Sequence, residues 1–200
     1  MRRCVICIVM LLFSCVLAAQ PKYEVRIGYT RYEQLPFNHS HSVGGFLSGV
    51  VLDFETGKKF SFQPGLLFVT KGSKSILYID NFEIVERASY LEVPLMLSWK
   101  YPIETSGLYF DWGVGLYCAY GLGGMIKEKE KDGFGIFISE YSAFTYNKRF
   151  DTGLQSGIGV GGSRFHLGIE GQVGIINRAK HTGYSSKPFA GLRFFYGYKF

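Results

Sequence analysis

The residues with the clearest chemical potential are charged side chains that occur at every second position inside apolar stretches of the sequence. Five of them stand out, and they are Arg26, Glu92, Asp111, Glu170 and Arg193. If alternate positions share one face of a strand, these charges point to the same side. Charges that are buried there must form pairs. We therefore predict an internal salt-bridge network. The alternatives for the same residues are a gated pore or a catalytic pair of carboxylates.

A second candidate for chemistry is the polar run His39-Ser-His41-Ser42. Its His-x-His spacing is compatible with a metal, but no acidic residue or cysteine lies nearby, so solvated loop residues are predicted instead. A histidine and a serine near an outer rim also leave open an enzyme that modifies lipid A, with His181 on the same side. The sequence has no motif for that activity, and neither a catalytic residue nor a cofactor or metal is predicted.

Composition and charge exclude one partner class. The chain of 200 residues carries a formal net charge of +6, and it is rich in Gly (26), Phe (18) and Tyr (14). No cluster of Lys and Arg interleaved with aromatic residues suggests a nucleic-acid face. No nucleic-acid partner is expected.

The first residues resemble a secretory signal peptide. Arg2 and Arg3 are followed by an apolar core and by small residues before Gln20, which predicts cleavage after Ala19. The expected division is a signal peptide over 1–19 and one domain over 20–200. A lipoprotein signal ending at Cys15 is an alternative, whereas the apolar run is short for a membrane anchor. Cleavage after Ala19 would leave Cys118 as the single cysteine, so no internal disulfide is expected.

The elements that must position the charges are β-strands, because apolar residues alternate with small or polar ones. The best example is 91–101, in which Leu91, Val93 and Leu95 alternate with Glu92 and Pro94. Eight such strands are predicted, at about 23–30, 43–54, 60–70, 91–101, 107–120, 150–160, 164–176 and 188–200. The last strand ends on a row that resembles the assembly signal of outer-membrane barrels: Leu192, Phe194, Tyr196, Tyr198 and Phe200.

The connections between these strands alternate in length. Long connections are predicted at 33–42, 71–88, 121–148 and 177–187, and short ones at 55–59, 102–106 and 161–163. Transmembrane barrels show this asymmetry, with short periplasmic turns and long external loops. The predicted fold class is therefore all-β, an eight-stranded antiparallel up-and-down transmembrane β-barrel in the cell outer membrane.

In such a barrel the aromatic faces contact lipid and the other faces fill the lumen, which in an eight-stranded barrel is just wide enough for side chains. The charges expected inside are Glu24, Arg26, Asp53, Glu92, Lys100, Asp111, Asp151, Arg164, Glu170, Arg193 and Lys199. Lys71 and Lys74 fall in a predicted external loop, where we expect them to meet lipopolysaccharide phosphates.

With its strands placed, the chain resembles the PorT-like outer-membrane β-barrel family of Bacteroidetes-type bacteria. The stretches that carry the resemblance are Phe62-Gln-Pro-Gly-Leu-Leu-Phe-Val-Thr-Lys-Gly72, Tyr90-Leu-Glu-Val-Pro-Leu-Met-Leu97, Phe150-Asp-Thr-Gly-Leu154, Gly157-Ile-Gly-Val160 and Tyr198-Lys-Phe200. The resemblance implies an eight-stranded outer-membrane barrel, and one branch of the family is associated with type IX secretion.

Four functions are compatible with these observations. The preferred one is a non-enzymatic outer-membrane barrel with a structural role or an interaction role, in which the loops 71–88 and 121–148 meet a protein partner. The others are a component of type IX secretion or surface assembly, a lipid-modifying enzyme, and a soluble lipocalin-like carrier. The expected partners are outer-membrane lipid, the barrel assembly machinery at the C-terminal strand, and a protein at the external loops.

Overall fold

The structure, a computed structural model, describes residues 21–35, 40–56, 59–77, 82–104, 106–132, 135–180 and 187–200. The signal peptide predicted over 1–19 lies outside these residues, as do His39 and His181. Nine strands are described: β1 Lys22–Gln34, β2 Ser40–Thr56, β3 Phe60–Leu77, β4 Phe82–Ile103, β5 Leu108–Asp132, β6 Gly135–Ser142, β7 Phe150–Gly161, β8 Phe165–Gly174 and β9 Phe189–Lys199. None of the described residues forms a helix that is long and apolar enough to cross a membrane.

Eight of these strands close into a ring. Each pairs antiparallel with its neighbours in the order β4-β3-β2-β1-β9-β8-β7-β5, and the pairing of β4 with β5 completes the circle. The seam between the first and last strands runs from Glu24–Lys199 to Gln34–Phe189. Closure pairs each of the eight described ring strands with a neighbour on both sides, so the ring has no edge strand. The eight-stranded up-and-down barrel predicted from the sequence is confirmed.

The ring has two unlike ends. The terminal end carries Lys22, Lys199 and the short turns, including a tight hairpin in which the Gly162 amide donates to the Phe165 carbonyl at 2.8 Å. The loop end carries the longer connections. The outer wall is apolar, with exposed residues such as Ile27 and Leu97, whereas polar side chains such as Glu24 and Gln155 are buried inside. This matches an alternation with a period of two residues.

Two predicted loops are instead strand, at least in part. The stretch 71–88 contains the end of β3 and the start of β4, which pair as far as Leu77 with Phe82. The stretch 121–148 contains the end of β5 and all of β6, paired as far as Asp132 with Gly135. These ends of β3, β4 and β5 together with β6 form one four-stranded sheet at the loop end, which we call the external sheet.

The external sheet departs from the ring along β5. Tyr120 is the last β5 residue that pairs with β7, and from Met125 onward β5 pairs with β6 instead. β6 joins the ring only through β5. The segment from Gly121 to Asp132 adds about 40 Å of strand, at ~3.3 Å per residue. The wall is therefore tall over β3–β5 and short over β7–β9 and β1.

Closure at the seam requires a glycine, which gives a first prediction. A Cβ on Gly28 would lie 2.1 Å from the backbone oxygen of Phe194, so Gly28→Val must push β1 and β9 apart. We expect it to cost ~1–3 kcal/mol, the usual range for overpacking. The same change at Gly123, where a Cβ meets nothing within 4 Å, should be silent. Urea titrations of the compact, faster-migrating form on unboiled SDS gels would measure both variants, and equal midpoints would contradict the assigned seam.

Candidate functional site

The interior of the barrel is a continuous series of ion pairs, which we call the lumen network. Its centre is Arg193 on β9, which reaches Glu92 and Glu170 at 2.5 Å each. Glu170 also binds Arg26 at 2.9 Å, so two arginines share one carboxylate. All four side chains are buried. Four of the five charges singled out from the sequence are thus brought together around Glu170.

Asp111, the fifth predicted member, does not contact an arginine. Its carboxylate lies 3.1 Å from Nε2 of His166, while Nδ1 of the same ring lies 3.1 Å from Glu24. Both ring nitrogens can donate to these carboxylates only when the histidine is protonated. His166 therefore stands between two acids, 3.1 Å from each. Glu24 connects this group to the network centre through Arg26 at 2.6 Å.

The terminal end of the lumen is closed by lysines. Lys100 lies 2.5 Å from Asp53, and Lys199 lies 3.9 Å from the same carboxylate. Lys199 also donates to the hydroxyl of Tyr109. Of the eleven charges expected inside, Arg164 is the exception, because it is exposed beside the hairpin turn at this end. Arg164 immediately precedes β8 and lies outside the lumen.

Toward the loop end the network continues through Lys71, which the sequence placed in an external loop. Its side chain is fully buried and lies 3.1 Å from Glu92 and 2.9 Å from Asp151. The ammonium also lies 4.1 Å from the ring centre of Tyr117, a cation–π contact. The prediction that Lys71 meets lipopolysaccharide phosphates is wrong, because β3 carries it on the inward face. Lys74 is partly exposed and pairs with Glu83 at 2.9 Å.

The mouth at the loop end is held by an ion pair that sequence analysis missed. Arg178, in the connection before β9, contacts Glu86 with both terminal nitrogens, at 3.0–3.1 Å, and stacks 3.8 Å from the ring centre of Phe189. Burial disfavours its charged form, but the Glu86 carboxylate outweighs this and raises the pKa of Arg178. Asn147 and Gln34 also donate to Glu86. These contacts hold the connection before β9 across the mouth of the barrel.

Phe144 packs on the barrel side of the ion pair between Arg178 and Glu86. It follows β6, and its ring meets Tyr90 edge to face at 5.8 Å between centres. The floor at this point is Gly121, where a Cβ would lie 2.1 Å from the Phe144 ring. The hydrophobic core of the molecule gathers here, and it includes Phe189 and Tyr32.

Side chains fill the middle of the lumen almost completely. Phe195 crosses it, with the Arg26 guanidinium 4.2 Å from the ring centre. The cavity left beside it, lined by Gln63, Asp111 and Glu170 among others, has a volume of ≈ 10 Å³. That is about the space needed for one water molecule. Among the described residues no group of three or more His, Cys, Asp or Glu side chains is arranged to hold a metal ion.

The residues considered for lipid chemistry do not assemble into a site within the described part of the chain. His41 is exposed at the start of β2. Ser42 accepts a hydrogen bond from Nε of Arg31 at 2.5 Å. The C-terminal row from Leu192 to Tyr198 lies on the outer wall, with Phe200 just beyond β9. Its role as an assembly signal stays a prediction.

Removing Arg193 should be far more damaging than removing an exposed cation. Arg193→Met leaves two buried carboxylates with too few cations, which costs ~3–5 kcal/mol of unfolding free energy. As a control, Lys127→Met breaks the exposed pair with Glu140 and should cost less than ~1 kcal/mol. Urea unfolding in lipid vesicles, followed by tryptophan fluorescence, measures both. Similar losses in the two variants would show that the network does not support the barrel.

Comparison with known proteins agrees with this architecture. A family model described as an outer membrane protein beta-barrel domain matches residues 19–179. Among solved structures, OprG from Pseudomonas aeruginosa has a TM-score of 0.50 at 12% identity, covering 91% of this chain and 97% of its own. Neisserial surface protein A gives 0.46 at 11% identity, covering 89% and 97%. Ail of Yersinia pestis gives 0.42 at 12%, covering 90% and 99%. No curated protein matches the sequence significantly.

Proposed function

Because the chain belongs to the family of outer membrane protein beta-barrel domains, we propose that it is a non-enzymatic barrel that acts through its external sheet. The family places the protein in the outer membrane. The short turns at the terminal end favour the periplasm for that end and the exterior for the loop end. The soluble lipocalin-like carrier is thereby set aside. What remains to be assigned is the task of the part outside the membrane.

The observation that carries the proposal is the length of the tall wall. A tilted strand needs about 9–11 residues to cross a bilayer, whereas β4 has 22 residues and β5 has 25. The surplus is ordered, paired strand. A sheet maintained at this length outside the membrane is a surface suited to a partner, since binding and recognition concentrate on such projections.

The tip of the external sheet exposes apolar side chains to the exterior. Phe137 and Ile138, adjacent on β6, are 62% and 64% exposed and point to opposite faces. On β5 the residues paired with them are the exposed Glu130 and Lys129, and Lys127 is bound to Glu140 at 2.6 Å. Burial together with a hydrogen bond to Glu128 raises the pKa of Tyr141. An apolar tip bordered by charge is typical of a protein-binding surface.

The filled lumen supports a structural rather than a conducting role. Each buried charge described above faces a countercharge, and the mouth is fastened by Arg178 and Glu86. An ion would have to displace these pairs to pass. The same packing leaves no space for a substrate between the lumen carboxylates, which argues against catalysis there.

The first functional prediction concerns conductance. In planar bilayers the full chain should give no stepwise ion current, because the lumen is occupied along its length. The double variant Arg178→Ala, Lys71→Met loosens the mouth and the level below it, and brief openings are expected from it. Regular open-channel steps from the unaltered chain would contradict the non-conducting assignment.

The second prediction concerns the partner. A photo-crosslinking amino acid at Ile138 in the full chain, expressed in cells, should give a discrete protein adduct. The matched control at Ile27, which is 58% exposed on the wall of β1, should give none, because it faces lipid. Phe137→Ser in the Ile138 crosslinking chain should lower the yield. Failure to form a protein adduct at the tip, with the barrel folded, would overturn the interaction role.

The resemblance to the PorT-like family is kept as a finer proposal, with type IX secretion as the role of one branch of that family. The most specific stretch of that resemblance, Leu91-Glu-Val-Pro94, contains Glu92, which binds Lys71 and Arg193 inside the barrel. The motif therefore reflects barrel construction and does not itself favour secretion. Co-purification with secretion subunits would support that alternative.

A further inference from the structure

β6 leaves one edge of the external sheet free. Among the strands that the structure describes, β6 pairs with β5 alone. It lies on the same side of β5 as β7, because β4 holds the other side as far as the pairing of Phe82 with Glu130. β6 therefore stands above β7, and its second edge faces the space above β8, which ends at Gly174. No described strand fills that space.

The hydrogen bonds of β6 to β5 show which of its backbone groups face the free edge. The amide of Ala143 donates to the Gly124 carbonyl at 3.0 Å, and these two residues are the next pair in the register of the two strands. Hydrogen-bonded pairs alternate with non-bonded pairs along an antiparallel ladder, so every second residue from Ala143 back to Phe137 bonds to β5. The amides and carbonyls of Ile138 and Glu140 therefore point to the free edge.

This edge lacks the features that protect an edge strand from further pairing. The Ser142 carbonyl, which also points away from β5, accepts a hydrogen bond from the Thr145 amide at 3.0 Å. The sequence of β6 contains neither proline nor lysine, and its register with β5 has no bulge. The carboxylate of Glu140 is drawn back onto the sheet by Lys127 at 2.6 Å. An unprotected edge of this kind is a template for another strand.

The end of this edge nearest the barrel is basic. Lys148 precedes β7 and Lys180 follows β8, and both side chains are exposed. Nζ of Lys180 donates to the carbonyl of Thr145 at 3.1 Å, which places this cation just beyond the end of β6. Neither lysine forms an ion pair with any residue that the structure describes, and the sequence contains no Asp or Glu over 141–150 or 171–200. The free edge thus leads from an apolar tip to a cationic base.

We infer, on the basis of the proposed function, that the partner of the external sheet is an extended protein segment that adds to β6 as one further strand. Antiparallel pairing is the more stable arrangement, so the segment runs from the barrel toward the tip. Its first residues are acidic and face Lys148 and Lys180. Apolar residues follow beside Phe137 and Ile138. Hydrogen bonds to the backbone of Ile138 and Glu140 supply affinity, and the side chains supply specificity.

A second copy of the chain in the same membrane does not fit this edge. A twofold axis along the membrane normal would set two β6 strands parallel, with Ile138 opposite Ile138. In a parallel ladder the bonds are slanted and the bonded residues of the two strands are staggered, so identical outward residues cannot face each other in this way. The symmetry of a dimer therefore excludes pairing through β6 within one membrane.

The first test examines the edge without a partner. Amide hydrogen exchange of the folded full chain in detergent micelles, followed by NMR, should be rapid at Ile138 and Glu140. It should be about tenfold slower or more at Ser139 and Tyr141, whose amides bond to β5. Slow exchange at all four amides would show that the edge is already covered. That result would overturn strand addition and leave the binding of a partner at the tip untouched.

The second test uses the photo-crosslinking amino acid at Ile138 in cells. Glu140→Pro removes an outward amide, and proline is tolerated where an edge N–H faces away from the sheet. We expect the yield of the protein adduct to fall about tenfold, the effect of one lost hydrogen bond with its partner left unpaired. Glu140→Gln keeps the amide and is the matched control, which should retain the yield. Heat-modifiability on gels verifies that each variant is folded.

A charge variant tests the acidic part of the partner and does not depend on the folding of Glu140→Pro. Lys148→Glu should lower the adduct yield up to about fivefold, the upper range for an exposed ion pair. Lys59→Glu, which changes an exposed lysine at the terminal end, should leave the yield unchanged. Mass spectrometry of the adduct should map the crosslink to a segment in which acidic residues precede apolar ones.

The outcomes separate this inference from the proposed function. Undiminished yield in folded Glu140→Pro would overturn strand addition, although a partner would still bind the tip. Undiminished yield in Lys148→Glu, or an adduct with a second copy of this chain, would overturn the assigned chemistry of the partner. If the unaltered Glu140 and Lys148 chain forms no protein adduct at Ile138, the proposed function fails, and strand addition fails with it.

Discussion

The rest of the structure depends on the sharing of buried carboxylates by buried cations, centred on Arg193 between Glu92 and Glu170. Eight strands enclose a space that side chains alone must fill, and where they cross the membrane their outward faces contact lipid. The inward faces carry the buried charged side chains, which have little access to water. Each charge is tolerable only because another strand supplies its partner. The pairs of Arg193 join β9 to β4 and β8, so satisfying the charges and closing the ring are one requirement.

The network also explains where the molecule is sealed. At the periplasmic end Lys100 and Lys199 converge on Asp53. At the external end the cation that pairs with Glu86 is Arg178, which lies in a connection and not in a strand. The mouth is thus closed by the same chemistry as the interior. The strength of this closure comes from geometry, since a two-pronged guanidinium on a carboxylate is specific as well as strong.

Much of this arrangement was predictable because a period of two residues assigns a face to every strand residue. Glu92 lies between Leu91 and Val93, and that alone directs it inward. The wrong predictions concern places where a strand continues beyond its alternating apolar residues. Lys71 continues the inward parity of Gln63 and Val69, but the polar run after Thr70 resembles a loop. Arg178 could not be predicted, because no strand period sets the direction of a residue in a connection. Asp111 was given the correct face, but its direct contact with His166 could not be predicted, since register between distant strands decides which charges meet.

The unequal height of the wall gives the protein a direction within the plane of the membrane. β5 has 25 residues and β8 has 10, so the external sheet rises from one side of the ring only. The barrel therefore presents a different surface on each side of its axis. Neighbours that approach from the tall side meet folded protein above the bilayer, whereas those on the low side meet lipid, so the molecule defines a front and a back for anything packed around it.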